Sequence, residues 1–358
     1  MKILFLGEPE SPNTQSWITG LRDQGCEVVL ASVRTDGNGD ALAIGNPGLP
    51  PRLRILSGVS HLKRIIAEIK PDILLAYRVT SYGYLAAKTG FHPLVIAAQN
   101  EQIVYLPNPT FLRRKFLEKC ARYAIRKADF MHAWSENIAA GLVKFGADKD
   151  KILTLHRGID MSIFSSDKKS HLKDDAPVFI STRSLAPEYR IENVIEAFSL
   201  LHKQIPGAVL KIVGSGSEES RLKQLASDLN LTDAVCFLGR LPHHALVKEL
   251  KESDIYISVI ETEGMSSSLI EAAVCGVLPI VSDMPASRLI VEDGVNGFLL
   301  RECSSGHLHE LMLGAVSDYN KMRDSVAENS RKVCRDFDRI SNQKIFLERY
   351  RGLIRGEK

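Results

Sequence analysis

Glu263 and Glu271 stand eight positions apart, on either side of the small polar turn Gly264-Met265-Ser266-Ser267-Ser268. Before the turn, Ser253 to Ile260 is a short β-branched and aromatic run that predicts a buried strand. After it, Leu269 to Gly276 predicts a helix closed by its C-terminal Gly. In an open parallel sheet, strand, polar loop and helix start leave unpaired backbone N–H groups at the carboxyl edge. The helix dipole favours an anion there, such as a phosphate. Carboxylates repel a phosphate, so the two acids are expected to accept hydrogen bonds from hydroxyls beside it, those of a sugar or a ribose.

Two further segments follow this pair, Gly276-Val277-Leu278-Pro279-Ile280-Val281-Ser282-Asp283 and Glu292-Asp293-Gly294-Val295-Asn296-Gly297-Phe298-Leu299. In their company the Glu-x7-Glu spacing resembles the retaining glycosyltransferases of family 4, over most of the second half of the chain. The resemblance implies an α/β GT-B fold, two Rossmann-like domains facing across a cleft. It implies transfer of a sugar, with retention, from a nucleoside-diphosphate sugar to a hydroxyl acceptor, with no metal and no other cofactor. It also implies that Arg183 and a second cation a few residues on clamp the donor diphosphate. The family's Lys has no clean counterpart: Tyr189 or Arg190 takes its place. Arg190 is preferred, because two phosphates need more than one countercharge and a guanidinium binds phosphate in a fork. Arg183, Arg190 and Glu263, the last gripping the sugar hydroxyls, form the implied catalytic set. The implied donor lining is Gly264, Met265, Ser266, Ser267 and Ser268, with Glu271 on the ribose, Gly214 in a Gly-x-Gly turn, and Phe237 and Leu238 beside the base.

The elements that position these residues follow from apolar period and turn residues. Ile3 to Leu6, a helix from Ser16 ending on Gly25, and Glu27 to Ala31 form a βαβ unit. Its first loop, Gly7 to Asn13, lacks a dinucleotide fingerprint and carries Glu8 and Glu10, which favours an acceptor hydroxyl as neighbour. Thr35 to Pro51 reads as an extended loop, Ser60 to Lys70 as a helix, Ile73 to Tyr77 as a strand, and Thr80 to Lys88 as a helix capped by Ser or Thr. Glu8, Tyr77, Arg78, Gln99 and Asn100 are the acceptor-side candidates. Gln99 or Asn100 stands where the family often has a His that touches the donor sugar; an amide bonds a hydroxyl but cannot take a proton. His156 reads as structural, and Arg157 replaces the family's Asn. The polar run 165–175 marks a linker between residues 1–165 and 176–335. The last segment, 336–358, is expected to return as a helix to the first domain, and Ser317 to Lys332 and Ile340 to Leu353 read as helical.

A chain of 358 residues is long enough for two cores. Its net charge of +3 gives no case for nucleic acid, and no run of apolar residues is long enough to span a bilayer. Six scattered cysteines without a Cys-x-x-Cys read as thiols of a reducing cytoplasm; Cys303 with His307 and His309 is a weak metal signal. Asp336-Phe337-Asp338 reads as a surface turn. Residues 111–127 leave two readings open: a core-packed helix with a solvated basic face, or a basic amphipathic helix touching an anionic membrane peripherally, on its inner face. A rival to the enzyme is a catalytically silent relative acting as a binding or partner subunit.

Overall fold

The structure, a computed structural model, describes residues 1–35, 39–46, 48, 51–98, 103, 110–164, 176–261 and 265–356. Two compact units emerge, Met1–Gly158 with Arg339–Lys358, and Ile159–Asp338. The predicted linker, 165–175, lies outside the described residues.

The first unit alternates β1 (Lys2–Leu6), α1 (Pro12–Asp23), β2 (Glu27–Ser32), β3 (Ala41–Ala43), α2 (Pro51–Ile69), β4 (Ile73–Tyr77), α3 (Tyr84–Thr89), β5 (Leu94–Ala98), α4 (Phe111–Lys127), β6 (Phe130–Ala133), α5 (Glu136–Lys144) and β7 (Ile152–Thr154). Crossovers of this kind pair strands in parallel, and the order is β3-β2-β1-β4-β5-β6-β7. β4 and β5 are buried at every position, as a sheet covered on both faces requires. The order reverses at β1, so the loops after β1 and β4 flank the crevice where such sheets take ligands.

The second unit runs β8 (Val178–Ser181), α6 (Ile191–His202), β9 (Val209–Val213), α7 (Glu219–Asp228), β10 (Val235–Gly239), α8 (His243–Lys251), β11 (Ile255–Ser258), α9 (Ser267–Val274), β12 (Leu278–Ser282), β13 (Phe298–Leu300) and α10 (Ser305–Asp336). Its parallel sheet is ordered β10-β9-β8-β11-β12-β13, and the reversal falls between β8 and β11. Both units are Rossmann-like. α11 (Arg339–Arg355) belongs to the first unit, where Phe346 packs 3.9 Å from the His132 ring and 5.1 Å from that of Trp17.

Several boundaries differ from expectation for identifiable reasons. The presumed loop 35–51 contains β3, because the small apolar run Ala41-Leu42-Ala43 adds an edge strand to β2. α2 starts nine residues before Ser60, with Pro51 as its first residue, where a missing N–H is harmless. The helix expected from Thr80 opens instead as a π-turn, Arg78–Gly83, entered from Tyr77 with no side-chain cap. α10 is twice the expected length, starting from Ser304, whose hydroxyl accepts from the His307 N–H. Asp336-Phe337-Asp338 lies at the break between α10 and α11. α4 departs most: only Cys120, Ala121, Ala124 and Ile125 are buried, while Phe111, Leu112 and Phe116 stand in solvent. The amino-terminal half of α4 is therefore not core-packed.

His132 and His156 are buried in the first unit. His132 Nε2 donates to the Leu155 carbonyl at 2.8 Å, and His156 Nδ1 accepts from the Gly158 N–H at 3.0 Å, a structural role. Burial lowers both pKa values, that of His132 to about 3. Both rings are neutral when folded and titrate near the ordinary value of 6.5 when unfolded. The unfolded state then binds more protons, so the contribution of each ring to stability is full above pH 6.5 and declines as pH falls below it, for His132 down to about 3. The slope is up to about 1.4 kcal/mol per pH unit for each ring. Urea unfolding of wild type and His132→Gln between pH 7 and pH 4 is expected to show the smaller slope in the variant.

Candidate functional site

The site grows from the reversal between β8 and β11. Arg183 follows β8 by two residues and is 5% exposed; its Nη1 donates to Ser266 Oγ at 2.7 Å. Ser266 is the N-cap of α9, and the same oxygen accepts from the Leu269 N–H at 3.3 Å. The Ser268 hydroxyl donates to the Thr182 carbonyl at 3.4 Å, a second tie between the two loops. A fixed guanidinium therefore sits at the positive end of a helix dipole. Two like charges held together lower the energy of any anion that joins them.

A third loop holds Arg183 from behind. Gly214, at φ +147°, approaches so closely that a Cβ would lie 2.2 Å from the Arg183 carbonyl oxygen, and one on Gly216 would lie 2.1 Å from that of Leu185. Leu185 N–H donates to Ser215 O at 3.1 Å, and Glu218 N–H to Leu185 O at 2.9 Å. The role the structure gives Gly214 is this backbone approach. Phe237 and Leu238 lie at the carboxyl end of β10, where the register slips by a bulge before Gly239, and Lys223 Nζ stands 5.7 Å from the Phe237 ring centroid. Met265 and Glu271 are buried at 8% exposure, Glu271 within α9. Glu263 and Gly264 lie outside the described residues.

The segment that lacks the family Lys resolves into two distinct contacts. The Tyr189 ring lies 4.4 Å from the Arg183 guanidinium, a cation–π contact that fixes its plane. Arg190, at φ +44°, opens α6 and is paired with Glu261, both side chains being substantially exposed. Sequence reading passed over Glu261, although it lies only two positions before Glu263.

At the reversal of the first sheet, Glu8 accepts from Arg78 Nη1 at 2.8 Å and lies 3.3 Å from Arg34 Nε. Arg78 has φ +81°, a left-handed backbone that a side-chain-bearing residue adopts at a strain, and it starts the π-turn. Tyr77 is 3% exposed, its ring packed 5.4 Å from Phe5 and 5.9 Å from Trp134, and burial raises its pKa, so its hydroxyl meets the interior. Arg157 donates to Ser16 Oγ and Asn13 Oδ1, both at 2.8 Å, tying the end of the β-sheet to the first turn of α1. Gln99 and Asn100 lie outside the described residues.

The family described as glycosyl transferases group 1 matches residues 162–333, and the glycosyl transferase 4-like family matches residues 2–135. The chain belongs to the family 4-like glycosyltransferases. It is 29% identical over 218 residues to an uncharacterized glycosyltransferase of Methanocaldococcus jannaschii, covering 59% of this chain and 55% of that one. It is 27% identical to the putative colanic acid biosynthesis glycosyltransferase WcaL of Escherichia coli, covering 81% of this chain and 69% of WcaL. The chain thus spans about half the length of the archaeal relative. In fold it is similar to Anabaena HepE, solved in complex with UDP, with a TM-score of 0.79 at 19% identity, covering 99% of this chain and 100% of HepE. The described residues gather no group of three or more His, Cys, Asp or Glu fit to hold a metal ion, and Cys303 makes none with His307 and His309. No helix among them is long and apolar enough to cross a membrane.

Two outcomes follow from these contacts. Gly216→Ala forces backbone against backbone and is expected to destabilise the protein by about 1–3 kcal/mol in urea unfolding. Glu261→Gln releases Arg190, and the dissociation constant for inorganic pyrophosphate is expected to fall about two- to fivefold by calorimetry, the worth of an exposed ion pair. An unchanged constant would mean that Arg190 does not face the anion.

Proposed function

We propose that this protein is a retaining glycosyltransferase that moves a sugar from a nucleoside-diphosphate sugar to a hydroxyl acceptor without a metal ion. The observation that carries the reading is Arg183, buried and bonded to the N-cap of α9, at the β8/β11 reversal. The bond between the sugar and the diphosphate breaks as one to the acceptor oxygen forms, so negative charge grows on the departing diphosphate. Cationic and amide groups fixed in advance stabilise that charge more in the transition state than in the bound donor. Arg183 and the α9 amides supply one part, and Arg190, exchanging Glu261 for phosphate, supplies the rest. Glu263 is assigned to the sugar hydroxyls and Glu271 to the ribose. Glu8 and Arg78, with Gln99 and Asn100, are assigned to the acceptor. HepE's complex with UDP supports a uridine nucleotide as the first donor to try.

A second reading draws on one contact. The Arg190–Glu261 pair neutralises the second cation, which suits a nucleotide-binding partner subunit that does not turn over.

The test is thermal unfolding with UDP, GDP and ADP in the presence of a chelator, followed by transfer from the matching sugar nucleotide. One nucleotide at about 100 times its dissociation constant is expected to stabilise the wild type by about 2.7 kcal/mol. Arg183→Ala is expected to abolish the shift and Arg183→Lys to keep part of it. Transfer with the donor's anomeric configuration kept, seen by NMR, supports the enzyme; inversion or dependence on added Mg²⁺ overturns the mechanism. Binding without transfer or donor hydrolysis favours the partner subunit.

A further inference from the structure

α4 is held to the first unit along one side only. Its buried residues, Cys120, Ala121, Ala124 and Ile125, all fall in the second half of the helix. The first two turns present Phe111, Leu112 and Phe116 to solvent, at 71%, 79% and 60% exposure. No other large apolar side chain among the described residues exceeds the 49% of Leu289 and Ile340. Three such groups together on one short stretch mark a surface that something else covers.

Charge says what that is. Every other exposed residue of α4 is Lys or Arg, seven in all from Arg113 to Lys127, and none is acidic. The single acid of the helix, Glu118, is partly buried and already engages Arg114 at 3.2 Å and Lys115 at 3.5 Å. At 3.6 residues per turn, Phe111, Leu112 and Phe116 share roughly 140° of the circumference with Lys119, Arg122 and Arg126. The exposed Lys88 of α3 extends the basic surface, its Nζ 4.4 Å from the Tyr123 ring centroid.

A second copy of this chain would set cations against cations. A nucleic acid would pair with the cations and leave Phe111, Leu112 and Phe116 in water. An anionic bilayer satisfies both: its headgroups attract the basic side chains, and the boundary between headgroups and acyl chains takes up the aromatic and leucine groups. The aliphatic stems of Lys and Arg lie along that boundary with their charges in the headgroups. We propose that α4 docks this protein on an anionic phospholipid bilayer, with Phe111, Leu112 and Phe116 inserted at headgroup depth.

The experiment is co-sedimentation of the full chain with vesicles of phosphatidylcholine alone or mixed with phosphatidylglycerol, at low and at physiological salt. Wild type is expected to pellet with the anionic vesicles only, and less so as salt rises. The triple variant Phe111→Ser, Leu112→Ser, Phe116→Ser is expected to stay in solution. Lys119→Gln is expected to lower the partition coefficient about fivefold. Circular dichroism and an unchanged Tm show that the variants fold, which their exposed positions favour. Failure to pellet at low salt overturns the proposal, as does equal pelleting of the triple variant. So does self-association of the wild type that the triple variant abolishes without any vesicle, which would make a second copy the occupant.

Discussion

The hydrogen bond from Arg183 to Ser266 joins two loops that the sheet brings side by side but that nothing in the chain order makes neighbours. β8 and β11 are adjacent because the strand order reverses there, and the loops leaving their carboxyl ends meet over the gap. The contact sets a guanidinium against the start of α9, an arrangement that the helix dipole opposes. The fold sustains it with Tyr189 on the guanidinium, with the tie from Ser268 to Thr182, and with two glycines that let the 214–216 turn lie against the backbone of Arg183 and Leu185. These supports restrict the motion of Arg183 while leaving the positive potential in place. Preorganisation of this kind spares the site a rearrangement when an anion arrives.

The first sheet meets the same topological condition with an acid at the centre of the cluster in place of a cation. At its reversal the loop after β1 supplies an acid, Glu8, and Arg78 after β4 and Arg34 after β2 close on it. Two guanidinium groups on one carboxylate leave a net charge of +1, while the carboxylate can accept from a ligand hydroxyl. The strain sits here as well, in the left-handed Arg78 that starts the π-turn. Arg78's pairing with Glu8 is one contact that holds a backbone which would otherwise relax.

Much of this was legible before any coordinates. Strands such as Ile73 to Tyr77 are continuous apolar runs bounded by turn residues, and alternation with helices leaves a parallel sheet as the only economical pairing. Arg183 and Ser266 were singled out through the resemblance to the glycosyltransferase family, and Glu271 through its spacing from Glu263; that Arg183 bonds Ser266 and that Glu271 is buried came from the structure. What sequence could not show were contacts made across the chain: the Tyr189 ring on Arg183, Glu261 on Arg190, and Arg34 beside Glu8. Such pairs join residues with no common period or spacing. Short or unusual backbone also escaped, since β3 has only three residues and a π-turn has no side-chain signature. α4 misled for a different reason. Its apolar residues fit a helical face in the sequence, but periodicity cannot say whether that face has a partner.

Under the proposed function, Tyr189 and Arg190 would divide between them what the resemblance assigns to a single Lys. Tyr189 takes over orientation: stacked on Arg183, it fixes the plane of the guanidinium without adding charge. Arg190 carries the charge but points it at Glu261, so the second positive group is held in an ion pair while no anion competes. A diphosphate carries more charge than one carboxylate and offers a bidentate fit, so it can displace an exposed carboxylate whose own hold is weak. A permanently free Lys would bind any phosphate that diffused in. Under the proposed function, an Arg held by Glu261 would set a threshold that a single phosphate passes less readily than two, making the departure from the family pattern a source of selectivity as well as of charge.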